Sequence, residues 1–511
     1  MPDIVLPTHD DPVPRGASRI IGGPIGAHAR IGGNGWWTPL RVLMAMAVLV
    51  SIGGWAQKAD CRDTRNWKKE YQYTRLCYSD VKALYDSAGL TKGKRPYLDT
   101  ALEYPVLLGA AVQGAASIAD LQSPARYVNG HYTFDRRSAT FYDVSALILG
   151  IAVCVAVACT ALAAGARKWD AAFIALAPGV VLHLTTNWDM LAVALAAAGL
   201  LAWARKRPAL AGILLGLGAA TKLYPALFLL PLLILCVRAG RMRAWVRATV
   251  ATIVTAVVVY IPFYIAASAF ANQQGQFVKI PGSSPWHALT TSGVGSFLKA
   301  LAFHHDGGLN GTLRFFQLNA SRPADWDSIA FVLQFFTHHT FATGSLSLVT
   351  AFGFIVLFGA ITWLGLAAPR RPRVAQLVWL TVVAFLLSNK VFSPQYVLWL
   401  IPLYALARPR WWPFLVWQLS EFVLLIFRYL HFANLDNSNK GVPRAWFVGS
   451  VCVRDLILLG ICALVIRDIW HPEHDVVRRT TGRDDPVGGV LEDAPDVIAG
   501  ASAPRPEPVP V

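Results

Sequence analysis

The sequence predicts an all-α polytopic membrane protein with about twelve transmembrane helices, and three observations support this prediction. Of its 511 residues, 55% are hydrophobic and only 15% are charged, whereas soluble domains carry about 25% charged residues. Apolar windows of about 18–20 residues, long enough to cross a bilayer, recur from residue 39 to residue 466. Every second short loop between these windows is basic, which is typical of cytoplasmic loops.

The apolar windows set the order of the elements. Transmembrane spans are predicted at 39–56, 141–165, 170–186, 189–204, 209–221, 223–237, 245–266, 344–367, 375–388, 396–407, 411–431 and 446–466. An N-terminal tail, 1–38, precedes this transmembrane domain, 39–466, which includes two long polar segments at 57–140 and 267–343. The remainder, 467–511, is acidic and rich in Gly and Pro without apolar periodicity, which predicts a disordered tail.

The basic loops also predict the orientation. Clusters such as 205–207 and 408–410 follow every second span, so both termini are expected in the cytoplasm and both long segments outside it. An apolar stretch at 104–121 is interpreted as an interfacial helix, because a further span would invert every basic loop. Cys61 and Cys77 lie in the first outer segment, where a disulfide can form; two free thiols remain the alternative.

Composition also limits the partners. The formal net charge is +16, which a nucleic-acid-binding protein would also show. The basic residues, however, are mostly in short loops between spans, where they set topology and face anionic lipid headgroups. We therefore expect membrane lipids, and no nucleic acid, as partners. The His and Cys residues are scattered without the spacing of a metal site, so neither a metal nor a cofactor is predicted.

Two lysines lie in the middle of otherwise apolar sequence. Lys222 precedes Tyr224 by two residues, and Lys390 precedes Gln395 and Tyr396 by five and six residues. Each lysine is followed by a proline that breaks the hairpin between two predicted spans. A lone ammonium is costly to bury in lipid, so the pair predicts one outward-facing polar pocket that binds an anion. The alternative is that each side chain reaches to the membrane edge.

Carboxylates beside aromatic residues mark the first outer segment. Asp80 lies between tyrosines, Asp99 follows a Pro-Tyr pair, and Glu103 is followed by Tyr104. A carboxylate can take a proton from an attacking hydroxyl, and an aromatic ring can stack on a sugar, so this pattern suits a sugar-handling site. For each acid the alternative is a helix cap or an ion pair with a nearby Lys or Arg.

Further candidates lie in other turns. Asn187 and Asp189, between the third and fourth spans, can hold a sugar hydroxyl or a lysine, or simply cap a helix. Arg322, in the second outer segment, is a candidate phosphate ligand. His287, in the same segment, is a candidate at the phosphate or acceptor, with an ordinary loop histidine as the alternative. Charges inside the last spans, Arg428 among them, are interpreted as structural ion pairs.

Four blocks of this sequence resemble glycosyltransferase family 87, an actinobacterial group of the GT-C class. They are Ser79-Asp80-Val with Tyr85, Pro96-Tyr97 with Glu103-Tyr104-Pro105, Gly212 to Lys222-Leu-Tyr224-Pro225, and Asn389-Lys390 with Ser393-Pro394-Gln395-Tyr396. The blocks bracket residues 78–402 and are predicted to lie on the same side of the membrane.

The resemblance implies an inverting transfer of a sugar, with mannose expected, from polyprenyl phosphate to an envelope glycolipid or glycan outside the cytoplasm. Asp80 matches the family's catalytic base, and Lys222 and Lys390 fit cations at the donor phosphate. A transporter or flippase of a lipid-linked sugar is the alternative function, since it needs the anion pocket but no base. The candidate substrate-binding residues are Glu103, Tyr104, Asn187, Asp189, Tyr224, His287, Gln395 and Tyr396.

Overall fold

A computed structural model describes residues 4–21, 36–62, 67, 70–100, 102–122, 126–128, 131–133, 135–273, 311–492 and 494–498. His287 and much of the predicted second outer segment lie outside these residues. Within them the secondary structure is helical apart from one antiparallel hairpin of two short strands, β1 (Arg126–Val128) and β2 (His131–Thr133).

The helices follow the predicted spans closely in position. In the first half of the chain they are α1 (Pro7–Asp10), α2 (Pro12–Ile21), α3 (Pro39–Ala59), α4 (Tyr71–Thr74), α5 (Asp80–Ser87), α6 (Val106–Gln122), α7 (Asp135–Ala163), α8 (Ala172–Ala175), α9 (Pro178–His183), α10 (Asp189–Ala204), α11 (Pro208–Ala219) and α12 (Leu229–Arg238). In the second half they are α13 (Met242–Gln273), α14 (Arg314–Ser321), α15 (Ile329–Thr337), α16 (Thr343–Ala367), α17 (Val374–Ser388), α18 (Val397–Ala407), α19 (Trp411–Asp436), α20 (Arg444–Trp470) and α21 (Val476–Thr481).

Among the described residues, six helices are long and apolar enough to cross a membrane: α3, α7, α13, α16, α19 and α20. Other apolar helices are shorter. For example, α17 has 15 residues and, at about 1.5 Å per residue, is about 22 Å long, less than the bilayer core of about 30 Å. The membrane character of the chain is therefore supported, whereas twelve crossings and their orientation remain predictions.

The predicted third span is divided into shorter helices in the structure. Instead of one helix over 170–186, the chain forms a 3₁₀ helix at Gly165–Ala171, then α8, then α9, which begins at Pro178. Proline fits the first turn of a helix, where its missing N–H costs nothing, and it ends a preceding helix. The mean hydropathy of a window does not reveal such breaks, because each of the short helices in it is apolar.

Both lysine hairpins are built in the same way. After α11 the chain turns through Lys222 into a 3₁₀ helix, Tyr224–Phe228, that leads into α12. After α17 it turns through Lys390 into a second 3₁₀ helix, Pro394–Tyr396, that leads into α18. In each case a proline occupies the start of the 3₁₀ helix, where its fixed φ is favourable. Each lysine is thus held in a turn between two helices.

The predicted disorder of the tail is wrong for the described residues after Arg467. α21 and a 3₁₀ helix, Gly489–Leu491, pack their apolar side chains into the bundle, and Leu491 is buried. The acids of the tail neutralise arginines of the helix ends: Asp475 lies 2.7 Å from Arg373. Such pairs join residues about a hundred positions apart, so composition alone could not reveal them.

The terminal segments meet at one end of the bundle, and the lysine turns lie at the other. Arg167 donates hydrogen bonds to Asp10 (2.6 Å) and to Thr480 (2.8 Å), which joins the two terminal segments. α17 begins at this end, where the backbone N–H of Val374 donates to Asp485 (2.7 Å). It ends one residue before the Asn389–Lys390 turn, so α17 separates the two ends by its full length.

Candidate functional site

A cavity of about 530 Å³ lies at the end of the bundle that holds both lysine turns. It is lined by side chains from the loops around α5 and α6, from the turns before α10 and α12, from the segment after α14, from the α17–α18 turn, and from α19. The predicted site residues that line it are Asp80, Glu103, Tyr104, Asn187, Lys222, Tyr224, Arg322, Lys390, Gln395 and Tyr396. Asp189 lies behind Lys222, and His287 is outside the described residues.

Asp80 is held by its backbone and by its side chain. It begins α5, and its N–H donates to the carbonyl of Thr186 (2.8 Å). The side-chain amide of Asn187 donates both to the Asp80 carboxylate (2.9 Å) and to the Tyr104 hydroxyl (2.7 Å). Asn187 is 1% exposed, and its side-chain oxygen accepts a hydrogen bond from the N–H of Trp188 (2.7 Å), which fixes the orientation of the amide. It therefore connects the candidate base to the Glu103–Tyr104 block.

The loop that carries Asp80 is closed by the predicted disulfide. Cys61 and Cys77 are bonded to each other, which ties this loop to the end of α3. Tyr78 follows directly, and its ring lies 6.0 Å from that of Tyr73 and 6.2 Å from that of Tyr429. These three rings line the cavity on the Asp80 side and give it an aromatic surface of the kind that stacks on sugars.

Lys222 points into the protein rather than to the membrane edge. Its side chain is 8% exposed, and Nζ lies 3.3 Å from the carboxylate of Asp189, which is fully buried. Nζ also lies 4.8 Å from the centre of the Tyr104 ring, within the range of a cation–π contact. The other Asp189 oxygen accepts a hydrogen bond from Trp399 (2.7 Å). Lys222 and Asp189 thus form a buried ion pair that has no net charge.

Stacked aromatic rings join the two lysine hairpins. Trp399, on α18, has Tyr224 stacked at 4.3 Å and Tyr396 stacked at 3.9 Å between ring centres. Tyr224 belongs to the first hairpin and Tyr396 to the second. This three-ring stack fixes the position of Lys222 relative to the α17–α18 turn.

Lys390 is in a different electrostatic situation. Its Nζ donates to the carbonyl of Ala320 (3.0 Å) and to the hydroxyl of Ser347 (2.7 Å), both neutral. Among the described residues, no carboxylate lies within ion-pair distance of Lys390. Burial and the nearby Arg322 charge lower the pKa of Lys390. A bound anion would oppose this lowering of the pKa, because a nearby negative charge stabilises the protonated ammonium.

Arg322 connects Lys390 to the first outer segment. Its guanidinium lies 3.4 Å from Glu103, and both side chains are partly exposed, at 43% and 34%. Burial raises the pKa of Glu103, and the charge of Arg322 opposes that rise. The segment after Arg322 is fixed to the α17–α18 turn, because the N–H of Asp325 donates to the carbonyl of Lys390 (2.8 Å). Arg322 and Lys390 therefore form the cationic side of the cavity.

The structure adds residues that the sequence did not indicate. Arg428, interpreted as a purely structural charge, pairs with Asp327 but also lines the cavity. Lys58, at the end of α3, is fully buried, and its ammonium has no hydrogen-bond partner among the described residues. It lies 5.9 Å from the Tyr429 ring and within electrostatic range of Asp80. No local pattern marked either residue, since their partners are distant in sequence.

Comparison with known proteins supports the resemblance found in the sequence. The family profile described as glycosyltransferase family 87 matches residues 134–394, slightly more than half of the chain. The match includes Lys222, Arg322 and Lys390, while Asp80 and Glu103 precede it. No curated protein matches the chain. Membership of an enzyme family favours a transferase over the alternative transporter. On the strength of this profile match, the chain belongs to glycosyltransferase family 87 and is a membrane glycosyltransferase.

Proposed function

We propose that this enzyme transfers mannose from polyprenyl-phosphate-mannose to a hydroxyl of an envelope glycolipid or glycan, with inversion at the anomeric carbon. The observation that carries the proposal is the single cavity in which a fixed carboxylate, Asp80, faces cations from distant segments. A proton acceptor and a site for a leaving phosphate are the two groups that such a transfer requires.

In the proposed reaction Asp80 acts as the general base. It removes the proton from the acceptor hydroxyl as the hydroxyl oxygen forms its bond to the anomeric carbon. The bond between that carbon and the phosphate oxygen breaks, and its electron pair leaves with polyprenyl phosphate. Attack from the face opposite the phosphate inverts the configuration. Asn187 supports this role because its amide orients the carboxylate.

The charges around the cavity support a proposed position for the donor phosphate. Lys222 already has a buried counter-ion in Asp189, so it brings no surplus charge to the cavity. Lys390 lacks an ion-pair partner in the described part of the chain, and the ion pair of Arg322 with Glu103 is partly exposed. We therefore place the phosphate at Lys390 and Arg322, where it also supplies the counter-charge that Lys390 lacks. Lys222, which lines the cavity, would then contact a hydroxyl of the donor sugar, while Asp189 holds it in position from behind.

The proposed location is the cell membrane, with the cavity on the extracytoplasmic face and both termini in the cytoplasm. The end of the bundle opposite the cavity carries arginines such as Arg370, Arg373 and Arg408, together with both terminal segments. Basic residues at one end of a helical bundle are typical of its cytoplasmic side.

Sugar transfer by the purified protein in lipid nanodiscs tests the proposal. Polyprenyl phosphates carrying labelled mannose, glucose or arabinose are offered with an envelope lipid extract as acceptor. Mannose should be incorporated by the wild type and by Asp60→Asn, a control that removes one exposed carboxylate of the same outer segment. Preferential transfer of another sugar would exclude the mannose assignment. Transfer from nucleotide sugars alone would exclude a lipid-linked donor.

A further inference from the structure

A second cavity, of about 730 Å³, lies between the loops that join α10 to α11 and α12 to α13. It is at the end of the bundle that holds the terminal segments, since Val490 of the C-terminal segment lines it. Its basic lining residues are Lys206, Arg241, Arg243 and Arg247. The three arginines are exposed to solvent. This cavity belongs to no part of the proposed transfer reaction.

The arginines of this cavity differ from six other arginines at the same end, which are paired with carboxylates. Those are neutralised by acids of the terminal segments: the pairs are Arg167–Asp10, Arg238–Asp496, Arg370–Asp484, Arg373–Asp475, Arg408–Asp468 and Arg483–Glu492. In the described part of the chain, no carboxylate lies within ion-pair distance of Arg241, Arg243 or Arg247. The C-terminal segment contributes an apolar residue, Val490, to the lining of the cavity. It does not place a carboxylate beside the three arginines in the described part of the chain.

The cations continue into an apolar stripe on the same helix face. Arg243, Arg247, Val250, Val254 and Val257 follow one another along α13 at spacings of four, three, four and three residues, which places them on one side of the helix. Val250, Val254 and Val257 are 53%, 54% and 50% exposed.

The neighbouring helix α11 also exposes an apolar side chain near this end. α11 packs closely against α13, because a Cβ at Gly212 would lie 2.1 Å from the carbonyl oxygen of Ala248. Ile213 of α11 is 41% exposed. The exposed valines of α13 and Ile213 of α11 therefore add apolar surface beside the cluster of cations. This is the shape and the polarity of a phospholipid: a charged head above apolar chains.

We propose that this surface is a binding site for an anionic phospholipid. The headgroup phosphate lies in the cavity against Arg241, Arg243 and Arg247, and the acyl chains lie along the exposed stripe of α13. Basic pockets between helices at the cytoplasmic side are suited to such headgroups. Arginine forms paired hydrogen bonds to phosphate oxygens, which gives the site selectivity over a zwitterionic lipid.

Native mass spectrometry of the full chain in detergent tests this site, with cardiolipin, phosphatidylglycerol or phosphatidylcholine added at equal concentrations. The two anionic lipids should bind roughly tenfold more tightly than phosphatidylcholine. Arg241→Gln/Arg243→Gln/Arg247→Gln should reduce that preference to about threefold or less. The matched control is Arg205→Gln/Arg207→Gln/Arg479→Gln, which removes the same charge from exposed arginines outside the cavity and should keep the preference.

Three outcomes would overturn the proposal. An equal loss of the preference for anionic lipids in both triple variants would mean that this preference depends only on the net charge. Competition by inorganic phosphate at the affinity of the lipid would mean a site for a free anion. A wild-type preference below threefold would mean no selective site. If the first triple variant does not fold, the single change Arg247→Glu replaces it, with thermal unfolding as the check. Sugar-transfer activity is not needed for any of these readouts.

Discussion

Replacing Lys222 with methionine should destabilise the protein strongly, because it leaves Asp189 buried without its counter-ion. The two side chains are 8% and 0% exposed, and Nζ lies 3.3 Å from the carboxylate. Removing one partner of a buried ion pair costs about 3–5 kcal/mol. In the described structure, Asp189 would then keep only the hydrogen bond from Trp399. The expected loss in the free energy of unfolding is therefore about 3–5 kcal/mol.

The assay is reversible unfolding by SDS in mixed micelles, applied to Lys222→Met, to Asp189→Asn and to the double variant. The double variant should recover most of the stability, because it leaves neither charge unpaired. It should remain inactive, because the proposed contact of Lys222 with the donor sugar is gone. If Lys222→Met unfolds at the same SDS concentration as the wild type, the buried pair does not exist and the reasoning fails.

Three further changes test other parts of the account. Arg322→Gln should change stability by less than about 1 kcal/mol, since its pair with Glu103 is partly exposed, but should raise the KM for the lipid donor about tenfold; an unchanged KM would remove Arg322 from the phosphate site. Burial and Arg322 lower the pKa of Lys390, so kcat/KM should fall as pH rises through a value below the ordinary lysine pKa of about 10.4. Lys390→Arg should move that fall to higher pH, since arginine stays protonated. The same fall of kcat/KM at alkaline pH in the variant and the wild type would contradict this prediction. Asp475→Asn should lower the free energy of unfolding by about 3–5 kcal/mol by leaving Arg373 buried and unpaired, whereas equal stability would show that the tail contributes nothing.

Much of the site could be predicted because its chemistry is local in sequence. A lysine followed by a proline between apolar runs marks a turn at the end of a helix, and both such turns line one cavity. The same blocks carried the resemblance to family 87, which the family profile confirms. The structure adds that Lys222 has a counter-ion, Asp189, whereas Lys390 bonds to the neutral Ser347. The sequence did not show this difference, because no spacing rule connects Asp189 to Lys222 or Ser347 to Lys390.

What could not be predicted depends on contacts between distant segments. Asn187 and Asp80 are hydrogen-bonded across 107 positions, and Arg428 reaches the cavity from the C-terminal half of α19. From hydropathy, Arg428 was interpreted as a structural charge inside a span. Hydropathy is an average over a window and carries no information on where a side chain points. The tail was misjudged for a related reason: its acids are polar by composition but are buried against arginines of the helix ends.

The assignment of Asp80 as the base is the central claim, and the turnover of Asp80→Asn tests it most directly. Transfer from polyprenyl-phosphate-mannose is measured in nanodiscs, with donor binding assayed in parallel and Glu103→Gln as the comparison. The asparagine keeps the shape and the hydrogen-bonding position beside Asn187 but cannot accept the proton. Turnover should fall by about a hundredfold or more while donor binding stays nearly intact. Near-normal turnover of Asp80→Asn, with Glu103→Gln inactive instead, would contradict the account and move the base to Glu103.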